Sequence, residues 1–120
     1  MQQRDLPALY ADILHSGRLL RDYSADGFER YANEGRISDA IERRLQIIGE
    51  ALSQAVRQDG DLVWKITSFR KIISFRHLLT HHYYKVSPLL VWNILEANLP
   101  QLEREVSILL RQSTSPGDIE

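Results

Sequence analysis

At 120 residues, with 43% hydrophobic and 26% charged side chains, the chain has the size and composition of one ordinary globular domain. It contains no cysteine, which excludes a disulfide framework, a thiolate metal site and a cysteine nucleophile. A formal net charge of -1 gives no global argument for nucleic acid. No apolar run approaches the ~20 residues of a membrane span, and the first residues, Met1 to Leu14, lack a signal-peptide core. A cytoplasmic protein is the default expectation.

The chain reads as helices from end to end. Leu6, Leu9, Tyr10, Ile13, Leu14 and Leu20 recur at three- and four-residue steps, which predicts an amphipathic first helix with Pro7 in its first turn. Asp26 is a candidate cap for a short second helix carrying Phe28 and Tyr31 on one face, with Gly35 as its stop. Ile37, Ala40, Ile41, Leu45, Ile48, Leu52 and Val56 mark a long third helix. Gly49 inside it costs about 1 kcal/mol against alanine and is read as a candidate point of close helix–helix approach. Arg43 and Arg44 read most simply as surface residues paired with Asp39 or Glu50. Gln58 to Asp61 is the clearest loop signal. Phe69, Ile72, Ile73, Phe75 and Leu79 fit a fourth helix ending between His81 and Tyr84. Ser87-Pro88 then announces a fifth, with Pro100 expected to kink it or shift its register. No strand pattern and no repeat is evident. The expected architecture is an all-α antiparallel bundle of about five helices over 1–111, with a disordered tail over 112–120.

Charge is segregated along the chain. From Leu62 to Leu95 there is no Asp or Glu, while Lys65, Arg70, Lys71, Arg76 and Lys85 all fall there, with His77, His81 and His82 among them. Such a segment can attract phosphate although the whole chain is near neutral. It can equally be a solvated face that pairs with acids elsewhere.

The residues capable of chemistry cluster at the end of the fourth helix, over Phe75 to Lys85. Histidine exchanges protons near neutral pH, arginine offers phosphate a planar fork of donors, and tyrosine can hydrogen-bond phosphate or stack on a base. RNA carries its own nucleophile, the 2′-hydroxyl, so phosphodiester cleavage needs no metal and no cofactor in principle. Arg76 and Thr80 are one turn apart, whereas His81 lies about 140° round the helix from Arg76. A distortion of the last turn or a second chain would help these two converge. Plainer readings stand beside this one. A histidine at a helix C-terminus can serve only as a cap, Arg76 can be an ion-pair partner, and Tyr83 and Tyr84 can be packing residues. His77 and His81 have the spacing of a zinc pair, but only His82, on another face, offers a third ligand. His15 stands alone.

The same segment resembles the HepT-like toxins of the HEPN superfamily, a group once classed as a domain of unknown function, DUF86. Their motif is Arg, four to six residues, His, any residue, Tyr. Arg76, four residues, His81, His82 and Tyr83 match it without a gap, and Arg76, five residues, His82, Tyr83 and Tyr84 give a second register. The first is preferred because its flanks agree: Ile72-Ile73-Ser74-Phe75 runs into the arginine as in the family. Val86 to Trp92, Asn98 to Leu102, Asp39 to Ala51 and Tyr10 to Leu14 are also similar, so the resemblance covers about residues 6–110. The chain departs from the pattern at His77, where Asn is common, at His82, where Gly or Asp is frequent, and over Leu62 to Ser68.

The resemblance implies an RNA-cleaving toxin of a type VII-like toxin–antitoxin pair, a metal-independent endoribonuclease working on tRNA or mRNA. It implies a homodimer whose two motifs face each other across a cleft. In it Arg76 stabilises charge on the phosphorane and His81 acts as acid or base, with His77, His82 and Thr80 in support. Arg70, Lys71 and Lys85 are the expected RNA contacts. The implied partner is a nucleotidyltransferase antitoxin that attaches AMP to the motif tyrosine, Tyr83, with Tyr84 the competing acceptor. Two other expectations stay open: a non-catalytic HEPN module that binds a nucleotide or scaffolds the nucleotidyltransferase, and a plain helical dimerisation domain.

Overall fold

A computed structural model describes residues 4–113, apart from the Tyr83 side chain. Among these residues there is no strand, and helix follows helix: α1 Leu6–Ser24, α2 Phe28–Asn33, α3 Gly35–Gln58, α4 Leu62–Lys65, α5 Phe69–His81, a 3-10 turn Tyr83–Lys85, α6 Pro88–Asn93, a π-helical turn Ile94–Asn98 and α7 Leu99–Ser113. The all-α, HEPN-like bundle expected from the sequence is what the chain forms. Among the described residues no helix is long and apolar enough to cross a membrane.

α3 is the central strut. It packs along α1 on one side and α5 on the other, and α7 closes against α1. Its buried residues, Ile41, Leu45, Ile48, Leu52 and Ala55, recur at three- and four-residue steps, and the apolar stripe of each neighbour meets them. Ile13, Leu20, Ile41, Leu52, Leu62, Val91 and Val106 are wholly withdrawn from solvent. Phe28 and Tyr31 share a face as expected, and both pack on Trp92 of α6 with ring centroids 5.7 Å away.

Several boundaries differ from the expectation for local reasons. Asp5 caps α1, its carboxylate accepting from the Ala8 N–H at 2.9 Å. Gly27, not Asp26, occupies the cap of α2. It has φ of 95°, a left-handed conformation open to glycine, and Asp26 instead pairs with Arg30. Gly35 opens α3 rather than stopping α2. Arg44 donates to the Ser16 hydroxyl at 3.5 Å, and neither Arg43 nor Arg44 forms an ion pair with Asp39 or Glu50 among the described residues. α4 is a single short turn that buries Leu62, too brief to show a periodicity.

The last long helix begins where Ser87-Pro88 signals it, with the Ser87 hydroxyl accepting from the Leu90 N–H at 3.1 Å. Pro100 shifts the register rather than breaking the helix. Proline has no N–H for the carbonyl of Glu96 and its ring crowds that carbonyl. The chain widens into the π turn just before it, where the Leu99 N–H reaches back to the Ile94 carbonyl. α7 runs on through Gln112 and Ser113, and the remaining residues of the expected tail, 114–120, lie outside the described residues.

Candidate functional site

α5 carries most of the motif, and its register decides where each side chain goes. Ile72, Phe75 and Leu79 form its buried stripe. Arg76, four residues after Ile72 and three before Leu79, falls on the margin of that stripe. It turns toward α3, and there it meets Gly49. A Cβ at position 49 would lie 2.5 Å from Arg76 Cβ, 2.8 Å from its Cγ and 2.9 Å from its Cδ. The missing side chain on α3 is the seat for the aliphatic stem of Arg76.

This seating has an electrostatic consequence. Arg76 Nε is buried without a hydrogen-bond partner, and no carboxylate pairs with the guanidinium among the described residues. The plain reading of Arg76 as a structural ion-pair partner is therefore unsupported. With no internal anion among the described residues, this half-buried guanidinium is chemically able to take an external one.

The start of α5 is held from α7. The Thr67 hydroxyl and backbone N–H donate to the Glu105 carboxylate at 2.6 and 3.1 Å. Ser68 is buried and accepts from Asn98 Nδ2 at 2.9 Å, which ties the π turn to the same point. The end of α5 is closed by the His82 N–H, which donates to the Leu78 carbonyl at 2.8 Å. The helix stays α through His81 and the chain leaves it at His82, with φ -140° and ψ 41°. No distortion of the last turn brings Arg76 and His81 together, so in one chain they keep the helical separation of about 140°.

The histidines assemble on the open side. His77 and His81 are exposed, with ring centroids 4.5 Å apart. His82 stands 6.1 Å from His77 and its Nδ1 is 3.4 Å from the Tyr84 hydroxyl. Tyr84 is 69% exposed, and Lys85 Nζ lies 5.9 Å from its ring centroid. Tyr83 opens the 3-10 turn, and its side chain is outside the described residues. The Thr80 hydroxyl donates to the Arg76 carbonyl at 2.9 Å, so it braces the helix and keeps only its lone pairs for another donor. Arg70, Lys71 and Lys85 are exposed. Among the described residues, no group of three or more His, Cys, Asp or Glu side chains could hold a metal ion. His15 is exposed and away from this cluster in sequence.

Another groove lies away from this cluster. It encloses about 630 Å³ between α1 and α7 and carries Arg18, Arg21, Arg104 and Arg111. Its floor contains Glu103, which pairs with Arg21 at 2.9 Å. Burial raises the Glu103 carboxyl above the usual range, and Arg21 and then Arg18 oppose that rise. Two of the four guanidiniums thus compensate an internal acid, and no motif residue reaches the groove. Its chemistry is that of a braced helix contact.

The family described as "Ribonuclease HepT-like" matches residues 13–109. The chain belongs to the HepT-like ribonuclease family. Among its relatives, "Putative RNase MJ1380" of Methanocaldococcus jannaschii is 29% identical over 110 residues, spanning 91% of this chain and 100% of that protein. "Putative RNase MJ0125" of the same organism is 27% identical over 112 residues, or 92% of this chain and 96% of its own length. "Putative RNase TTE0752" of Caldanaerobacter subterraneus is 27% identical over 85 residues, or 71% and 75%. No solved structure matches the chain. The HepT-like match contains both the Gly49 seat and the Arg76 to Tyr83 segment. The sequence signalled Gly49 only as a glycine out of place in a helix. The contact between His82 and Tyr84 was missed, because it depends on where the chain leaves α5.

Proposed function

We propose that this chain is a metal-independent endoribonuclease, the toxin of a type VII-like toxin–antitoxin pair. The observation that carries the reading is Arg76: a guanidinium seated by Gly49, without an internal anion, at the motif spacing from an exposed imidazole. In the proposed reaction the 2′-hydroxyl of RNA attacks the adjacent phosphorus, and a 2′,3′-cyclic phosphate forms as the 5′-oxygen leaves. Arg76 stabilises charge on the non-bridging oxygens, a contact of a kind worth about 3 kcal/mol. His81 moves a proton. Because Arg76 and His81 diverge on α5, the working site joins two copies in a homodimer, each completing the other's cleft. Arg70, Lys71 and Lys85 hold the RNA backbone by charge, and the protein works in the cytoplasm.

The proposed antitoxin is a nucleotidyltransferase that attaches AMP to Tyr83, or second to Tyr84. Each AMP group brings negative charge and bulk into a cleft made for phosphate. The deciding experiment is cleavage of a tRNA pool by the unmodified protein in EDTA, with His81→Ala alongside. Fragments with 2′,3′-cyclic ends from the parent alone support the reading. If neither protein cuts tRNA or mRNA, and mass spectrometry finds no AMP on either tyrosine, a non-catalytic nucleotide-binding or scaffolding module replaces it.

A further inference from the structure

His77 and His81 lie one turn apart on α5, both exposed, with ring centroids 4.5 Å apart and ring planes 50° apart. Neither ring hydrogen-bonds to another described side chain, whereas His82 is engaged with Tyr84. Two imidazoles so placed repel each other when both carry a proton, and no hydrogen bond or ion pair among the described residues repays their proximity. They do, however, match a chemical need. Cleavage by internal attack requires one group to accept a proton at the 2′-oxygen and another to deliver one at the 5′-oxygen. The two oxygens stand on opposite sides of phosphorus, each needing a nitrogen within about 2.6–3.2 Å. Adjacent tilted rings can offer one nitrogen to each side.

We propose that His77 and His81 divide these tasks within a single protomer, one as general base and the other as general acid; this rests on the ribonuclease reading. The base imidazole takes the 2′-hydroxyl proton as the 2′-oxygen bonds to phosphorus. The P–O5′ bond breaks, and the acid imidazolium gives its proton to the departing oxygen. The products are a 2′,3′-cyclic phosphate and a 5′-hydroxyl. The pair ends with its protonation states exchanged, and the proton returns to the acid through solvent or across the gap between the rings. The partner copy then has to supply the guanidinium, not the second imidazole.

The test uses a short RNA spanning a cleavage site mapped with the parent protein, made once with ordinary linkages and once with sulfur replacing the 5′-bridging oxygen at that site. A thiolate leaves without a proton, so the sulfur substrate has no need of the general acid. The expected result is that His77→Ala and His81→Ala each slow the ordinary RNA by about 100-fold or more. The sulfur substrate then restores one variant, identifying the acid, and not the other. Both residues are exposed, and unchanged thermal melting verifies the fold. Co-expressed His77→Ala and His81→Ala chains, paired in mixed dimers, should remain inactive, since neither chain holds an intact pair. The inference is overturned, with the ribonuclease reading intact, by a His77→Ala variant that cuts ordinary RNA at the parental rate while His81→Ala does not. It is also overturned if sulfur rescues neither variant or both, or if mixed dimers recover activity. If the parent itself cuts no RNA, the ribonuclease reading falls and takes this inference with it.

Discussion

Gly49 of α3 and Arg76 of α5 occupy a space that only one of them can fill with a side chain. A methyl group at position 49 would sit 2.5 Å from Arg76 Cβ, an atom fixed to the α5 backbone. The two helices would have to separate, and the guanidinium would move with α5. This contact links a packing requirement to the one charged group on the motif that faces the interior.

Gly49→Ala sets two effects against each other. Helix propensity favours alanine by about 1 kcal/mol, while overpacking at a helix contact costs about 1–3 kcal/mol. The backbone-bound clash decides the sign, and we expect a lower melting temperature together with weaker RNA cleavage. A variant that melts higher would show that α3 and α5 do not approach as closely as described.

Arg76→Met keeps an aliphatic stem over Gly49 and removes the buried, unpartnered Nε. An unsatisfied buried donor costs about 1–3 kcal/mol, so the variant should melt a few degrees above the parent. Cleavage should fall by about 100-fold or more. Stability and activity moving in opposite directions is the mark of a group held for an external anion. If both fall together, Arg76 is a structural residue. Thermal melts and tRNA cleavage on one preparation settle it.

How far this could be read from the sequence depended on range. Ile72, Phe75 and Leu79 fixed which face of α5 is buried, and Ser87-Pro88 fixed where the last helix starts, because both signals are local. Asp26 and Gly35 misled because residues suited to a cap or a stop are common near any helix end. Which of them is used depends on Gly27 adopting φ of 95° and on Asp26 being drawn to Arg30. Glu105 holding the start of α5 could not be foreseen, since 38 residues separate it from Thr67. The site divides in the same way. The spacing of Arg76 and His81 was legible as a motif, but that one turns to α3 and the other to solvent follows only from how α5 docks.

The two neighbouring tyrosines make a separable prediction about regulation. If the proposed nucleotidyltransferase antitoxin acts on this chain, incubation with it and ATP should label the parent and Tyr84→Phe, and leave Tyr83→Phe unlabelled. Intact-mass measurement reads each AMP group directly. Tyr84 is exposed, and its hydroxyl lies 3.4 Å from His82 Nδ1, a contact that could assist proton removal from the phenol. Label lost only in Tyr84→Phe would therefore move the acceptor to Tyr84 and give His82 the part of its base.

Glu103 gives a prediction that does not depend on RNA. Its carboxyl is raised chiefly by burial, against the pull of Arg21 and Arg18. A carboxyl raised in the folded state binds its proton more tightly there than in the unfolded chain. Stability is therefore lost as pH climbs from the ordinary carboxylate value through the raised one. Glu103→Gln lacks this loss. Measured from about pH 4 to about pH 7, the melting temperature of Glu103→Gln relative to the parent should shift in the variant's favour as pH rises. Glu42, raised by burial and by Asp39, is present in both proteins and cancels from the comparison. A shift in the parent's favour would mean that the 2.9 Å pair with Arg21 outweighs desolvation. In that case Gly17, where a Cβ would lie 2.7 Å from Glu103 Oε2, makes room for a stabilising ion pair rather than for a costly buried acid.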